Sequence, residues 1–264
     1  MQRYGVNWEV ILKRHADSYA VMKQNIEVIC VEIKGITDIG QIRSSNQDSF
    51  YIDTNGKWCV VADGMGGHNG GETASRIAVE TVKENMLDFN GDDFAEKFRE
   101  LCQKANTAIY NAASEDESLY GMGTTIVLCG FSKNKVTVAH IGDSRAYLLS
   151  GNKLKRITRD HSVVQDLLDN GTITEEQAKV HPQKNFITRA VGTDKDVEAD
   201  ISTYTFKKND SIIICSDGLT SMVDDSAILE ISKDNSPGVA VQKLAALANI
   251  KGGKDNITVV IARM

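Results

Sequence analysis

Five apolar runs in this chain stop or start at an aspartate. "CVVADG", "VAHIGD" and "IIICSDG" lead into Asp63, Asp143 and Asp217, while "NQDSFYI" and "KDNITVVIA" begin at Asp48 and Asp255. Short runs rich in valine and isoleucine predict buried strands. Asp48 and Asp63 are equidistant from the centre of Asn55-Gly56, a dipeptide that favours a two-residue hairpin. The spacing therefore predicts that these two carboxylates lie opposite each other at the open end of the hairpin. Asp217 and Asp255 would meet similarly if their strands pair antiparallel, and Asp143 would reach the same edge. Carboxylates gathered at one sheet edge repel one another unless a cation sits between them. Oxygen-only donors suit hard octahedral ions such as Mg²⁺ or Mn²⁺. Any one Asp-Gly or Asp-Asn pair is an ordinary turn; it is the group, with two members in matching register, that points to metal.

The segments between these runs set the fold class. "GETASRIAVETVKENMLDF" reads as a helix, and "DDFAEKFRELCQKANTAIYNAA" places Phe94, Phe98, Leu101, Ala105 and Ile109 on one helical face. Strand patterns return in "GTTIVLCGFS", "KVTVAHIGDSRAYLLS" and "KLKRIT", followed by a polar stretch with short helical pieces over residues 160–190. "DSIIICSDGL" is a strand, "PGVAVQKLAALANI" a helix, and "NITVVIARM" a closing strand. Long helices between groups of hairpin-linked strands predict sheets flanked by helices, not an alternating parallel β-α-β fold.

Hydrophobic residues at 41% and charged residues at 25% predict a packed core across the 264 residues. A net charge of −6 argues against nucleic acid or an anionic membrane as the partner. No apolar stretch has the length of a transmembrane helix, and the charge-interrupted first 24 residues lack a signal-peptide core. Five widely spaced cysteines, mostly inside apolar runs, read as reduced, buried thiols. Together these point to a cytoplasmic protein.

The glycine-rich loop "VVADGMGGHNGGETAS" invites a nucleotide reading that its residues do not support. A dinucleotide fingerprint from Gly64 needs glycine at position 69, where the chain has Asn69, and a P-loop needs a closing lysine that is absent. If metals sit at the aspartates, paired divalent ions can activate water and clamp an in-line displacement at phosphorus. Arg43, five residues before Asp48, is placed to grip a phosphate. Cysteine-phosphatase chemistry would need Cys-x5-Arg, and no cysteine here has arginine six residues on.

The series "GQIRSSNQDSF", "VADGMGGHNGGETAS", "GMGTTIV", "HIGDSRAYLL", "ITRDHS", "SDGLTSMV" and "GGKDNITVVIA" resembles the metal-dependent, type 2C serine/threonine protein phosphatases in their bacterial form. The motifs run in family order from about residue 28 to the C-terminus. The resemblance implies an α+β fold, a four-layer α-β-β-α sandwich of two antiparallel sheets flanked by helices. It implies that Asp63, the Gly64 carbonyl, Asp217 and Asp255 hold two Mn²⁺ or Mg²⁺ ions, with Asp48 reaching them through water. Asp143, with Asp217, would hold the third, weaker ion found in many bacterial members. Arg43 would grip the substrate phosphate, and residues 160–190 would form a flap beside the site. Water would then attack phosphoserine or phosphothreonine in protein substrates directly, opposing a Ser/Thr kinase. The chain is read as a monomer.

Two departures from the family pattern stand out. Gln47 precedes Asp48 where many members have glutamate, and Met65 takes the place of a histidine proposed as general acid in eukaryotic members. His68, three positions later, does not inherit that role on sequence grounds. The alternative to an enzyme is a catalytically weak phosphatase-like module that binds phosphoproteins or regulators. Such a module would normally have lost metal aspartates, and none of Asp48, Asp63, Asp217 or Asp255 is missing. Residues 1–27 fall outside the resemblance and read as a helical N-terminal extension, with the phosphatase-like domain spanning 28–264.

Overall fold

The computed structural model describes residues 31–89 and 91–264, apart from the side chains of His68 and Asn69, so the helix expected in residues 1–27 lies outside the described residues. Among the described residues, eleven strands form two sheets in which every pairing is antiparallel. One sheet has the order β1 (Glu32–Asp38), β11 (Ile257–Arg263), β10 (Ser211–Cys215), β7 (Arg145–Ser150) and β8 (Lys153–Arg156). The other has the order β2 (Asp48–Ile52), β3 (Trp58–Met65), β5 (Ile126–Ser132), β6 (Lys135–Ile141) and β9 (Asp200–Thr205), with the short β4 (Gly123–Thr124) paired to the end of β3.

Strand alternation explains how these sheets stack. Trp58, Val60 and Ala62 of β3 pack among Ala74, Ala78 and Val82 of helix α1 (Gly67–Met86) and Phe98, Leu101 and Ile109 of α2 (Phe94–Glu115). The intervening Cys59 and Val61 are equally buried but face the opposite way, toward the second sheet. On the other side, Ile213, Cys215, Val259 and Ile261 pack beneath α6 (Asp225–Asp234) and α7 (Pro237–Ile250), which supply Ile228, Leu244 and Ala248. The sheets meet closely: a Cβ at Gly35 of β1 would lie 2.7 Å from the Phe50 ring of β2. These four layers, helices outside and sheets inside, are the expected α-β-β-α sandwich. Two buried faces also explain why the inner strands β3, β5, β6, β10 and β11 read as continuous apolar runs.

Residues 160–190 carry two short helices, α3 (Val163–Asp169) and α4 (Glu175–Lys179), joined by polar segments. The stretch "KVTVAHIGDSRAYLLS" holds two strands, one ending before Asp143 and the next beginning after it. β6 belongs to the six-stranded sheet and β7 to the five-stranded one, so the chain changes sheets at Gly142–Ser144. The edge strand β9 and helix α6 have no counterpart in the sequence reading. β9 is mostly polar, and α6 is only ten residues long, so its apolar face spans fewer than three turns.

Candidate metal centre

The hairpin register is the one expected: Asp48 pairs with Asp63. The turn differs. Asp53 N–H donates to the Trp58 carbonyl (3.0 Å) and Gly56 N–H to the Asp53 carbonyl (3.0 Å), enclosing a four-residue loop, Thr54–Lys57. A two-residue type I′ turn needs positive φ at both central positions, and here Gly56 has φ 67° while Asn55 stays negative. Lengthening the loop symmetrically keeps its centre, so the carboxylate register survives. Asp63 is not the last residue of its strand, because β4 extends the pairing through Gly64 and Met65.

On the opposing sheet β10 and β11 pair antiparallel, and Ser216 N–H donates to the Thr258 carbonyl (3.1 Å) just beyond. Asp217 opens the one-turn helix α5 (Asp217–Thr220), and Asp255 precedes β11 by two residues. Asp143 sits in the turn where the chain changes sheets. Both sheets thus deliver carboxylates to one end of the sandwich. There, a cleft of about 470 Å³ is walled by Arg43, Asp63, Gly64, Asp143, Asp217 and Asp255, with Asn185 and Ile187 of the 160–190 segment. Asp48 is buried behind this wall.

Several neighbours that the sequence reading did not single out hold these groups in place. The Ser216 hydroxyl donates to Asp48 Oδ2 at 2.7 Å, a bond that crosses between the sheets. Asn256 accepts from Gln47 N–H (2.8 Å) and donates to the carbonyls of Ile39 and Ser45 (2.9 Å each), pinning the loop that carries Arg43. Thr125 Oγ1 accepts from Asp63 N–H (3.0 Å) and contacts Ser144 Oγ (2.8 Å). Ser216, Asn256 and Ser144 each adjoin a candidate aspartate in sequence, and that adjacency was the available signal. Gln47 donates through Nε2 to the Gly67 carbonyl (2.9 Å), a bond an ionised glutamate could not make. Arg43 donates to Asp255 Oδ2 at 2.8 Å.

Burial and mutual repulsion set the electrostatics. Desolvation, then the neighbouring charges of Asp217 and Asp255, raises Asp48 to about 7 despite the hydrogen bond from Ser216. Burial and Asp217 raise Asp143 to about 8, and burial with the Asp255 charge raises Asp217 to about 6. Asp63 is pushed well above the carboxylate range by burial and then by Asp48. Asp48 Oδ1 is buried without a hydrogen-bond partner among the described residues. An all-oxygen donor set, repulsive as it stands and holding an orphaned buried oxygen, fits hard divalent cations. The tight bend at Gly64 belongs to the same design. A Cβ there would lie 2.0 Å from the Gly71 carbonyl oxygen, so only glycine lets α1 begin against the end of β3. This packing starts the helix at Gly67, four residues earlier than its sequence pattern indicates. The His68 side chain lies outside the described residues.

Residues 41–247 match the family model for protein phosphatase 2C. Among curated proteins, the serine/threonine phosphatase stp of Listeria welshimeri is 39% identical over 233 residues, covering 85% of this chain and 92% of that protein. The crystal structure of the Mycobacterium tuberculosis serine/threonine phosphatase PstP/Ppp superposes with a TM-score of 0.84 at 36% identity, covering 89% of this chain and 98% of that one. The catalytic domain of PstP in complex with two manganese ions superposes with a TM-score of 0.82 at 35% identity, covering 88% and 97%. The chain belongs to the protein phosphatase 2C family of metal-dependent serine/threonine phosphatases.

Proposed function

We propose that Asp63, the Gly64 carbonyl, Asp217 and Asp255 hold two Mn²⁺ or Mg²⁺ ions, that Asp48 anchors them from behind through water, and that Asp143 and Asp217 hold a third, weaker one. The observation that carries this reading is the delivery of four aspartates from two different sheets to one cleft beside Arg43, with Asp48 paired to Asp63 and buried behind them. When bound, such ions supply an activated water and neutralise charge on the phosphoryl oxygens. Arg43 is half-exposed, and its single bond among the described residues, to Asp255, leaves guanidinium donors to grip the substrate phosphate. Gln47 spends its amide on the backbone at the start of α1, so its neutrality supports the site's frame without removing a ligand.

The substrates are phosphoserine and phosphothreonine in proteins, presented across the cleft between the Arg43 loop and the 160–190 flap. A Ser/Thr kinase is the counterpart, and the cytoplasm is the compartment; among the described residues no helix is long and apolar enough to cross a membrane. Release of phosphate from a phosphothreonine peptide is the direct test. Hydrolysis should require Mn²⁺ or Mg²⁺, stop with chelator, and fall about 100-fold or more in Asp217→Asn. A folded wild type that binds the peptide but stays inactive with both ions would replace the enzyme by a binding module.

A further inference from the structure

His140, His161 and Asp200 form a second cluster of titratable side chains, away from the cleft wall. Each offers an atom within 4.8 Å of the others, an arrangement that suggests a cation site. The hydrogen bonding rejects that use. Gly142 N–H donates to His161 Nδ1 at 3.1 Å, so the ring proton resides on Nε2, which contacts Asp200 Oδ2 at 3.2 Å. A cation on Nε2 would require the ring to lose that proton while Nδ1 remained an acceptor. Burial keeps His161 below the ordinary histidine range, consistent with the neutral ring. The ring of His140 packs on it, with centroids 4.7 Å apart.

His161 instead ties three pieces of chain together. It bonds Gly142 in both directions, since its own N–H also donates to the Gly142 carbonyl at 2.8 Å. Its carbonyl accepts from Thr188 N–H at 2.8 Å, and the next residue, Ser162, bridges Ile187. Asn185 and Ile187, on this returning segment, line the cleft. Asp200 is held from the other side by Arg189 at 2.8 Å. Gly142 immediately precedes Asp143, so the imidazole grips the turn that aims the Asp143 carboxylate.

We infer that His161 is a positioning residue that holds Asp143 in its metal-binding orientation through the Gly142 N–H and couples that turn to the base of the flap. The inference rests on Asp143 being a ligand, as proposed above. Side-chain geometry separates its two bonds. Asparagine places an acceptor near the Nδ1 position and preserves the bond from Gly142. Glutamine reaches toward Asp200 but does not serve Gly142, and alanine makes neither bond.

The test is Mn²⁺ titration by calorimetry on the full chain, with folding of each variant verified by thermal melting. The wild type should show a weaker binding event in addition to the tight ones, and Asp143→Asn should lose it. His161→Asn should retain that event, whereas His161→Gln and His161→Ala should weaken it ~10- to 100-fold and leave the tighter events unchanged. Amide exchange at Gly142 should accelerate in His161→Gln but not in His161→Asn. A wild type without the weaker event, or an Asp143→Asn variant that keeps it, removes the Asp143 assignment and this inference with it. If Asp143→Asn loses the event while the Asn and Gln variants of His161 behave alike, the assignment stands and the positioning role is overturned.

Discussion

Arg43 and Asp255 form an ion pair at 2.8 Å, yet the arginine side chain is half-exposed. Exposed pairs contribute at most about 1 kcal/mol, so the pair does not explain the arginine as a stabilising element. Arg43→Ala should therefore leave the melting temperature within a few degrees of wild type. It should raise KM for a phosphopeptide ~10- to 100-fold, the loss expected for charge-assisted hydrogen bonds. Arg43→Lys, with a point charge and no planar fork, should recover only part of that. A variant with unchanged KM would exclude phosphate binding by Arg43. Asp217 gives the opposite signature. It is buried and crowded by the Asp255 charge, so removing its own charge relieves desolvation and repulsion. In chelator, Asp217→Asn should be at least as stable as wild type while failing to respond to Mn²⁺. A metal-free variant clearly less stable than wild type would show that the carboxylate is held by attractive contacts instead.

At the scale of elements, the junction of β3 and α1 is the tightest constraint on the site. The methyl group of Gly64→Ala would meet the Gly71 carbonyl oxygen at 2.0 Å and the Gln47 carbonyl oxygen at 2.6 Å. Both are backbone atoms, so relief requires shifting the helix start or the loop before β2. The expected cost is about 3 kcal/mol, at the upper end for overpacking, seen as a lower denaturation midpoint with an unchanged slope. A neutral result would mean that α1 does not seat against β3 as described. The same junction shows what the sequence made legible. The glycines at 64, 66, 67, 70 and 71 read as a bend, yet only Gly66 lies in one, with φ 123°, while 67, 70 and 71 belong to α1; composition alone does not distinguish a loop from a helix whose first turn lies backbone to backbone on a strand. The Asp48–Asp63 register was legible because hairpin symmetry is a counting argument that survives a change of loop length.

Across the whole molecule, the proposed ions would join the two sheets. Asp48 and Asp63 come from the six-stranded sheet, Asp217 and Asp255 from segments flanking β10 and β11 of the five-stranded one, and Ser216 already bonds across at 2.7 Å. Ions that bind only the folded state stabilise it by mass action, by about 2.7 kcal/mol at a hundredfold excess over Kd. For a chain of this size that corresponds to a rise of roughly 5–10 °C in melting temperature. Scanning calorimetry with Mn²⁺ and with chelator measures the difference directly. Equal melting temperatures would argue against any metal joining the sheets.

The sequence by itself determined the local pieces: which runs are strands, which residues face a helix's buried side, and which aspartates lie at strand ends. Those features depend on side-chain periodicity and turn geometry within short stretches, and the ordered motifs added the family fold. Tertiary structure alone decided which sheet each strand joins, including the change of sheets at Gly142–Ser144 between β6 and β7. It also decided that Ser216, Asn256 and Thr125 would support the aspartates. Hydrogen bonds between residues as far apart as Asp48 and Ser216 have no local pattern to read, because their partners meet only once both sheets have closed over a common core.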